Sequence, residues 1–182
     1  SSSRGLGDVY KRQAINQSYK NIEIIIVYDD ENYDDLKLLE EIKKKDERIR
    51  IIKNKKKMGA GLSRNIGISS STGNYIAFLD ADDTWEADKL SKQMSFMTDN
   101  NYLASHTSYQ IVDEYRNIIG NRVARSFLNL EDLLKSCDIG TSTVIIKKNI
   151  LDDQIKFPSI KTKEDFVSVS YTHLTLPTTW SV

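Results

Sequence analysis

The residues whose types and spacing could do chemistry are acidic: Asp29-Asp30, the run Asp80-Ala81-Asp82-Asp83, and Glu164-Asp165. The first two groups each follow an apolar run, Ile24-Ile25-Ile26-Val27 in one case and Tyr75–Leu79 in the other. Carboxylates gathered at one edge repel one another, and a hard divalent cation relieves that repulsion, because Mg²⁺ and Mn²⁺ favour oxygen ligands. On a backbone that stays extended, D-x-D spacing sends two side chains the same way. One carboxylate could then hold a metal while the other meets a ribose or a phosphate. Plainer readings stand beside this one. Asp83 or Thr84 could cap the next helix, although a cap needs one acid and not three. Asp29-Asp30 alone could equally mark a turn.

The elements that must position these acids read as strand–helix alternation. Ile24–Val27 is a continuous apolar run, as expected of a strand buried on both faces. Leu38, Leu39 and Ile42 recur at helical spacing and predict an amphipathic helix over Asp34–Lys45. A second strand is expected at Ile49–Ile52, and after the basic turn Lys53–Lys57 a helix opens at Gly59 and Gly61 and is expected to end at Gly73. Tyr75–Leu79 is the third strand, and Leu90, Met94 and Met97 mark the helix after it. The alternation predicts an α/β fold with a mostly parallel sheet. In such sheets ligands collect outside the carboxyl ends of the strands, where both Asp groups fall. Further on, Tyr102–Val112 reads as a strand containing His106, Leu130–Lys135 as a short helix, Thr143–Ile146 as a strand and Glu164–Val167 as the start of a helix.

Composition narrows the function classes. The chain has 182 residues, with 26 Lys+Arg balanced by 26 Asp+Glu, so no net positive charge argues for a nucleic-acid partner. Cys137 is the single cysteine, which excludes an internal disulfide and a cysteine zinc cluster. No apolar run reaches the length of a membrane span, and the amino terminus lacks the apolar stretch of a signal peptide. Residues 1–13 (SSSRGLGDVYKRQ) and the tail from about 168 to 182 have no fold-like periodicity and resemble translated sequencing-adaptor sequence. The expectation is therefore a partial catalytic domain over 14–167, truncated at both ends.

Two blocks carry a family resemblance. NQSYKNIEIIIVYDD resembles the first part of the catalytic domain of family 2 glycosyltransferases, and GAGLSRNIGISSSTGNYIAFLDADD resembles that family's most recognisable block. The resemblance implies a GT-A fold, a nucleotide-binding α/β sandwich. It implies donor contacts at Asp29, Asp30, Arg64 and Asp80, and a Mn or Mg ion at Asp82 and Asp80, with Asp82 the direct ligand. KTKEDF resembles the later Glu-Asp motif, which would make Asp165 the catalytic base. The implied reaction moves a sugar from a nucleotide-diphosphate sugar to a hydroxyl of a saccharide or lipid-linked acceptor, with inversion. It would serve cell-surface polysaccharide or lipopolysaccharide synthesis in the cytoplasm, with membrane association only through segments outside this sequence. The first acidic block, YDDEN, departs from the family's commoner Asp-Asp-Gly-Ser.

Two rival readings stay open at this point. AFLDADDT also reads as the strand and D-x-D-x-T of a haloacid-dehalogenase-type phosphotransferase, with Asp80 as nucleophile and Asp82 as acid/base. That chemistry also needs a later lysine and a paired-acid motif after a strand, for which Lys147 or Lys148 and Glu164-Asp165 are poor matches. The other rival is a non-catalytic nucleotide- or metal-binding module.

Overall fold

The structure, a computed structural model, describes residues 13–31, 33–124, 139–151 and 157. The first strand, β1, is Ile24–Tyr28, and it pairs in parallel with β2, Ile49–Lys53, in a register running from Ile24 opposite Ile49 to Tyr28 opposite Lys53. Helix α1, Tyr33–Lys43, makes the crossover. Asp34 and Asp35 in its first turn and Lys43 in its last complement the helix dipole, and its buried Leu39 and Ile42 are those the helical spacing marks.

Helix α2, Ala60–Ser70, follows β2 and packs on β1. It starts at Gly59, whose φ of 89° is the left-handed conformation that glycine adopts without a Cβ penalty. The helix ends at Ser71 and not at Gly73: the Ser71 hydroxyl and N–H both bond the Ile68 carbonyl. Gly73 instead donates its N–H to Glu23.

Strand β3, Tyr75–Ala77, is shorter than the expected Tyr75–Leu79. After it come helix α3, Lys89–Asp99, and a short strand β4, Ala104–Ser105. The expected single strand over Tyr102–Val112 breaks at His106, which is buried, and resumes as β5, Tyr109–Val112. β5 forms a hairpin with β6, Ile118–Arg122, around a turn in which Asp113 accepts the N–H groups of Tyr115 and Asn117. Last among the described strands is β7, Ile145–Lys147, preceded by a 3-10 turn at Thr141–Thr143. β7 lies between β3 and β4, antiparallel to both. The fold thus joins a parallel βαβ unit to an antiparallel trio. The expected helices at Leu130–Lys135 and Glu164–Val167 lie outside the described residues.

The core sits on the two faces of β7. Ala104, Ile139, Val144 and Ile146 pack together on one side, and Leu90, Met97 and Ile145 on the other. Gln93 ties α3 to this layer, donating to the Ser105 carbonyl and hydroxyl and to the Thr143 carbonyl. Gln17 serves the start of α3 by accepting the Leu90 N–H. One sequence expectation fails here: Ile24–Val27 are only half-buried, because they line an open cleft.

Lys89, on the first turn of α3, is 9% exposed, and its ammonium lies 4.0 Å from the centre of the Trp85 ring with no hydrogen-bond partner. Burial pushes its pKa down to about 7. Because the folded value is below the unfolded one, the penalty for burying the charge is fully present below about pH 7 and is relieved as pH rises toward the unfolded value. Lys89→Met is therefore expected to stabilise the fold at pH 6, on the order of 2 kcal/mol, and to gain less at pH 9. Urea denaturation at the two pH values checks the sign.

Candidate active site

The carboxyl ends of β1 and β3 meet at the amino-terminal half of α2. Asp29, the first residue after β1, accepts the Asn54 amide at 2.7 Å, the Met58 N–H at 2.8 Å and the Gly59 N–H at 2.6 Å. These donors come from the loop between β2 and α2, so Asp29 ties the strand to the start of the helix. Partial desolvation acts to raise its pKa, but those three donors and nearby Lys57 outweigh it and hold the carboxyl below its ordinary value. A depressed carboxyl contributes stability above the unfolded value near 3.8, and the contribution disappears as pH falls through the folded value. Asp29→Asn is expected to cost about 2 kcal/mol at pH 7, the scale of hydrogen bonds to a charged acceptor. The difference from the native chain should shrink at pH 3, and an equal cost at both pH values would mean the charge is not what matters.

Asn54 also donates to the Ser63 hydroxyl at 3.0 Å, and the next residue on α2 is Arg64. Arg64 Nη2 reaches both carboxylate oxygens of Asp80, at 2.8 and 3.1 Å. The Arg64 side chain is 12% exposed and that of Asp80 35%, so the pair stands at a surface opening with the arginine beneath. The Arg64 guanidinium also lies 5.2 Å from the ring centre of Phe157. Phe157 is itself held to α2 by Asn65, which donates to its carbonyl and accepts its N–H, and it meets Phe78 edge to face.

The D-x-D is a turn and not the extended backbone that the spacing argument assumes. β3 stops at Ala77, and the Asp83 N–H bonds the Asp80 carbonyl at 3.2 Å. Ser142, in the 3-10 turn before β7, fixes this turn from behind: its hydroxyl accepts the Asp80 N–H at 2.9 Å, and its carbonyl accepts the Trp85 indole N–H at 2.7 Å. Asp82 and Asp83 are exposed. Desolvation raises the Asp83 pKa, as do the charges of Asp82 and Asp80, against a lowering hydrogen bond from Ser142. The capping alternative fails. α3 begins at Lys89, with Asp88 at its N-cap, so neither Asp83 nor Thr84 caps it.

The structure thus brings Asp29, Arg64 and Asp80 together around the first turns of α2. It places Asp82 at the open end of the same turn, and Asp30 exposed beside Asp29. Among the described residues no three His, Cys, Asp or Glu side chains gather into a complete cation site. Asp165 lies outside the described residues. Asn54 and Phe157 were not legible as site residues. Asn54 follows β2 directly and could have been suspected from that place, and Phe157 gives no sequence signal.

Of the two lysines open to the phosphotransferase reading, Lys148 is held away from the acidic turn: its ammonium bonds the Ser71 carbonyl, at the far end of α2 from Arg64 and Asp80. Asp80, that reading's would-be nucleophile, is engaged by the arginine.

A βαβ unit feeding an acidic turn at the carboxyl edge, backed by an antiparallel strand, defines a nucleotide-binding α/β domain of the GT-A kind. Residues 12–154 match the family described as "Glycosyl transferase family 2", and the chain belongs to that family. Among curated relatives it is 39% identical over 153 residues to an Escherichia coli protein named UDP-Glc:alpha-D-GlcNAc-diphosphoundecaprenol beta-1,3-glucosyltransferase WfaP, covering 84% of this chain and 59% of that one. A mannosyltransferase from Pyrobaculum calidifontis, solved in complex with GDP-Man and Mn2+, superposes with a TM-score of 0.75 at 13% identity, covering 100% of this chain and 51% of that one. S. aureus TarS 1-349 in complex with UDP gives a TM-score of 0.74 at 18% identity, over 92% of this chain and 51% of that one. These two likenesses concern the fold. The chain spans from 24% to 61% of the length of the curated relatives compared. Among the described residues no helix is long and apolar enough to cross a membrane.

Proposed function

We propose that the intact protein transfers a sugar from a nucleoside-diphosphate sugar to a hydroxyl of a saccharide or lipid-linked acceptor, with inversion, in the synthesis of a bacterial surface polysaccharide. The observation that carries this reading is the Asp80–Asp83 turn, clamped from below by Arg64 and from behind by Ser142, at the strand edge where Asp29 also lies. Relatives named for glucosyl transfer to a diphosphoundecaprenol-linked sugar and for teichuronic acid biosynthesis support the class of product. A fold neighbour solved with GDP-Man and Mn2+ supports the donor and metal class.

In this reading Asp82 would hold Mn²⁺ or Mg²⁺, with Asp80 beside it. Arg64 takes up both Asp80 oxygens on one side, so Asp80 is the better oriented and Asp82 the freer of the two. A bound divalent ion supplies neutralisation of the charge that builds on the leaving diphosphate. In this reading Asp29 and Asp30 border the nucleoside: Asp29 keeps the α2 loop in position, and the exposed Asp30, whose Oδ1 accepts the Glu31 N–H, meets ribose hydroxyls through its other oxygen. Asp165 takes the proton from the acceptor hydroxyl as its oxygen attacks the anomeric carbon. A single displacement inverts that carbon, through a transition state with oxocarbenium character.

The test is transfer by the intact protein. A panel of UDP- and GDP-sugars is offered with Mn²⁺ and an extract of lipid-linked saccharides, and nucleoside diphosphate release is followed. Release that requires both acceptor and metal supports the reading. Absence of release from every donor, by a folded protein, counts against it.

A further inference from the structure

Among the described residues, the large apolar side chains most open to solvent gather on the β5–β6 hairpin. Val112 is 47% exposed, Tyr115 78%, Ile118 57%, Ile119 66% and Val123, just after β6, 80%. Tyr33, the other residue of this kind, has the Lys53 ammonium over its ring.

The register shows how these side chains come to share a face. Ile111 stands opposite Gly120 and Val112 opposite Ile118, so Ile119 is an extra residue in β6. In such a bulge two residues of one strand oppose a single residue of the other. Ile118 and Ile119 thus both meet Val112, and both are exposed where a regular strand would turn one of them inward. Away from the bulge the alternation is ordinary. Tyr109, Ile111 and Gly120 are half-buried, while Gln110 and Asn121 are exposed. The inner face rests on the domain, with the Tyr109 ring close to Gly140. The outer face carries Val112, Ile118, Ile119 and Val123 beside the amides of Gln110 and Asn121, and no charged residue. Apolar residues scattered singly over a surface are ordinary, but a contiguous uncharged patch marks a contact.

Charge lies at the two ends of the hairpin. The turn bears Asp113, Glu114 and Arg116, and the far end bears Arg122. Asp113 is engaged within the turn by the N–H groups of Tyr115 and Asn117 and by the Asn117 amide, which leaves Glu114 as the open acid. The ends are therefore of opposite sign. The hairpin has no excess of positive charge to draw it to an anionic bilayer, and it complements an inverted copy of itself.

We infer that the outer face of this hairpin is the contact through which two copies of the protein pair, face to face, with their strands antiparallel about a two-fold axis. That arrangement sets Arg122 of each copy beside Glu114 of the other, and brings Tyr115 at the tip over Val123. The exposed parts of the five apolar side chains come to roughly 600 Å² per copy, so pairing buries about 1,200 Å², the low end of a specific interface. A dissociation constant on the order of 1–10 μM is expected for such a contact. The inference rests on the hairpin alone and is independent of the sugar-transfer reading.

Sedimentation velocity of the intact protein, from about 0.5 to 50 μM, tests it. A monomer–dimer equilibrium is expected within that range. Ile119→Lys, which brings two ammonium groups together in the pair, should raise the dissociation constant by about a hundredfold or more, and Ile119→Thr, which keeps the β-branch, by about tenfold. Both variants should keep the circular dichroism of the native protein, since Ile119 is exposed in the monomer. Arg122→Glu should weaken pairing by about fivefold, and Arg122→Glu combined with Glu114→Arg should restore it. A protein that stays monomeric throughout, a dimer indifferent to both Ile119 variants, or a charge swap that fails to restore pairing overturns the inference. So does binding of the monomer to phosphatidylglycerol vesicles that is lost in Ile119→Lys, because the face would then be a membrane contact.

Discussion

Asp82→Ala in the intact protein is expected to lower kcat/KM by about three orders of magnitude and to abolish metal-dependent donor binding. The size follows from what the carboxylate is asked to do: it fixes the cation that offsets charge on the departing diphosphate, and losing one such electrostatic contact commonly costs 10²–10³ or more in rate. Asp80 cannot take over, because Arg64 engages both of its oxygens and the Ser142 hydroxyl fixes its backbone. Asp82 is exposed, so its removal should leave stability within about 0.5 kcal/mol of the native protein. Steady-state kinetics with Mn²⁺, alongside a denaturation curve, separates lost chemistry from lost fold. Normal stability with unchanged rate would remove Asp82 from the site.

Asp165→Asn is expected to reduce transfer by about 10³–10⁴ while leaving the donor dissociation constant unchanged, the pattern of a general base that acts on the acceptor and not on the donor. Its assignment rests on the KTKEDF resemblance within a chain that belongs to the family, since Asp165 lies outside the described residues. The acidic limb of the pH–rate profile, which reports the base, should disappear in the variant. A parallel loss of donor affinity would instead make Asp165 part of the donor site.

Much of this arrangement was legible in the sequence, for identifiable physical reasons. The apolar run before Asp29 and the periodic Leu39 and Ile42 predict a strand and a helix after it, and the structure has both, although the strand is half-buried where full burial was expected. Gly59 announced the start of α2 because the backbone there needs a positive φ. The details that failed depend on partners distant in sequence. The D-x-D is a turn because Ser142, 62 residues away, takes the Asp80 N–H and the Asp83 N–H closes back on Asp80. Arg64 was expected only as a donor contact, and the stretch after β3 sets Asp80 over it, where the two side chains pair directly. The antiparallel β7 was expected only as a strand, because periodicity carries no information about which neighbour an edge will choose. The half-exposed β1 reflects an opening in the sheet, and no local pattern reports that.

The most direct measurement is a calorimetric titration of the intact protein with UDP and with GDP, in Mn²⁺ and in chelator, repeated on Asp82→Ala. Acidic side chains holding a cation against a pyrophosphate predict tight binding of at least one nucleotide with Mn²⁺, and a loss of at least about tenfold in affinity both in chelator and in the variant. Equal nucleotide affinity with and without metal, unaltered by the substitution, would contradict the account.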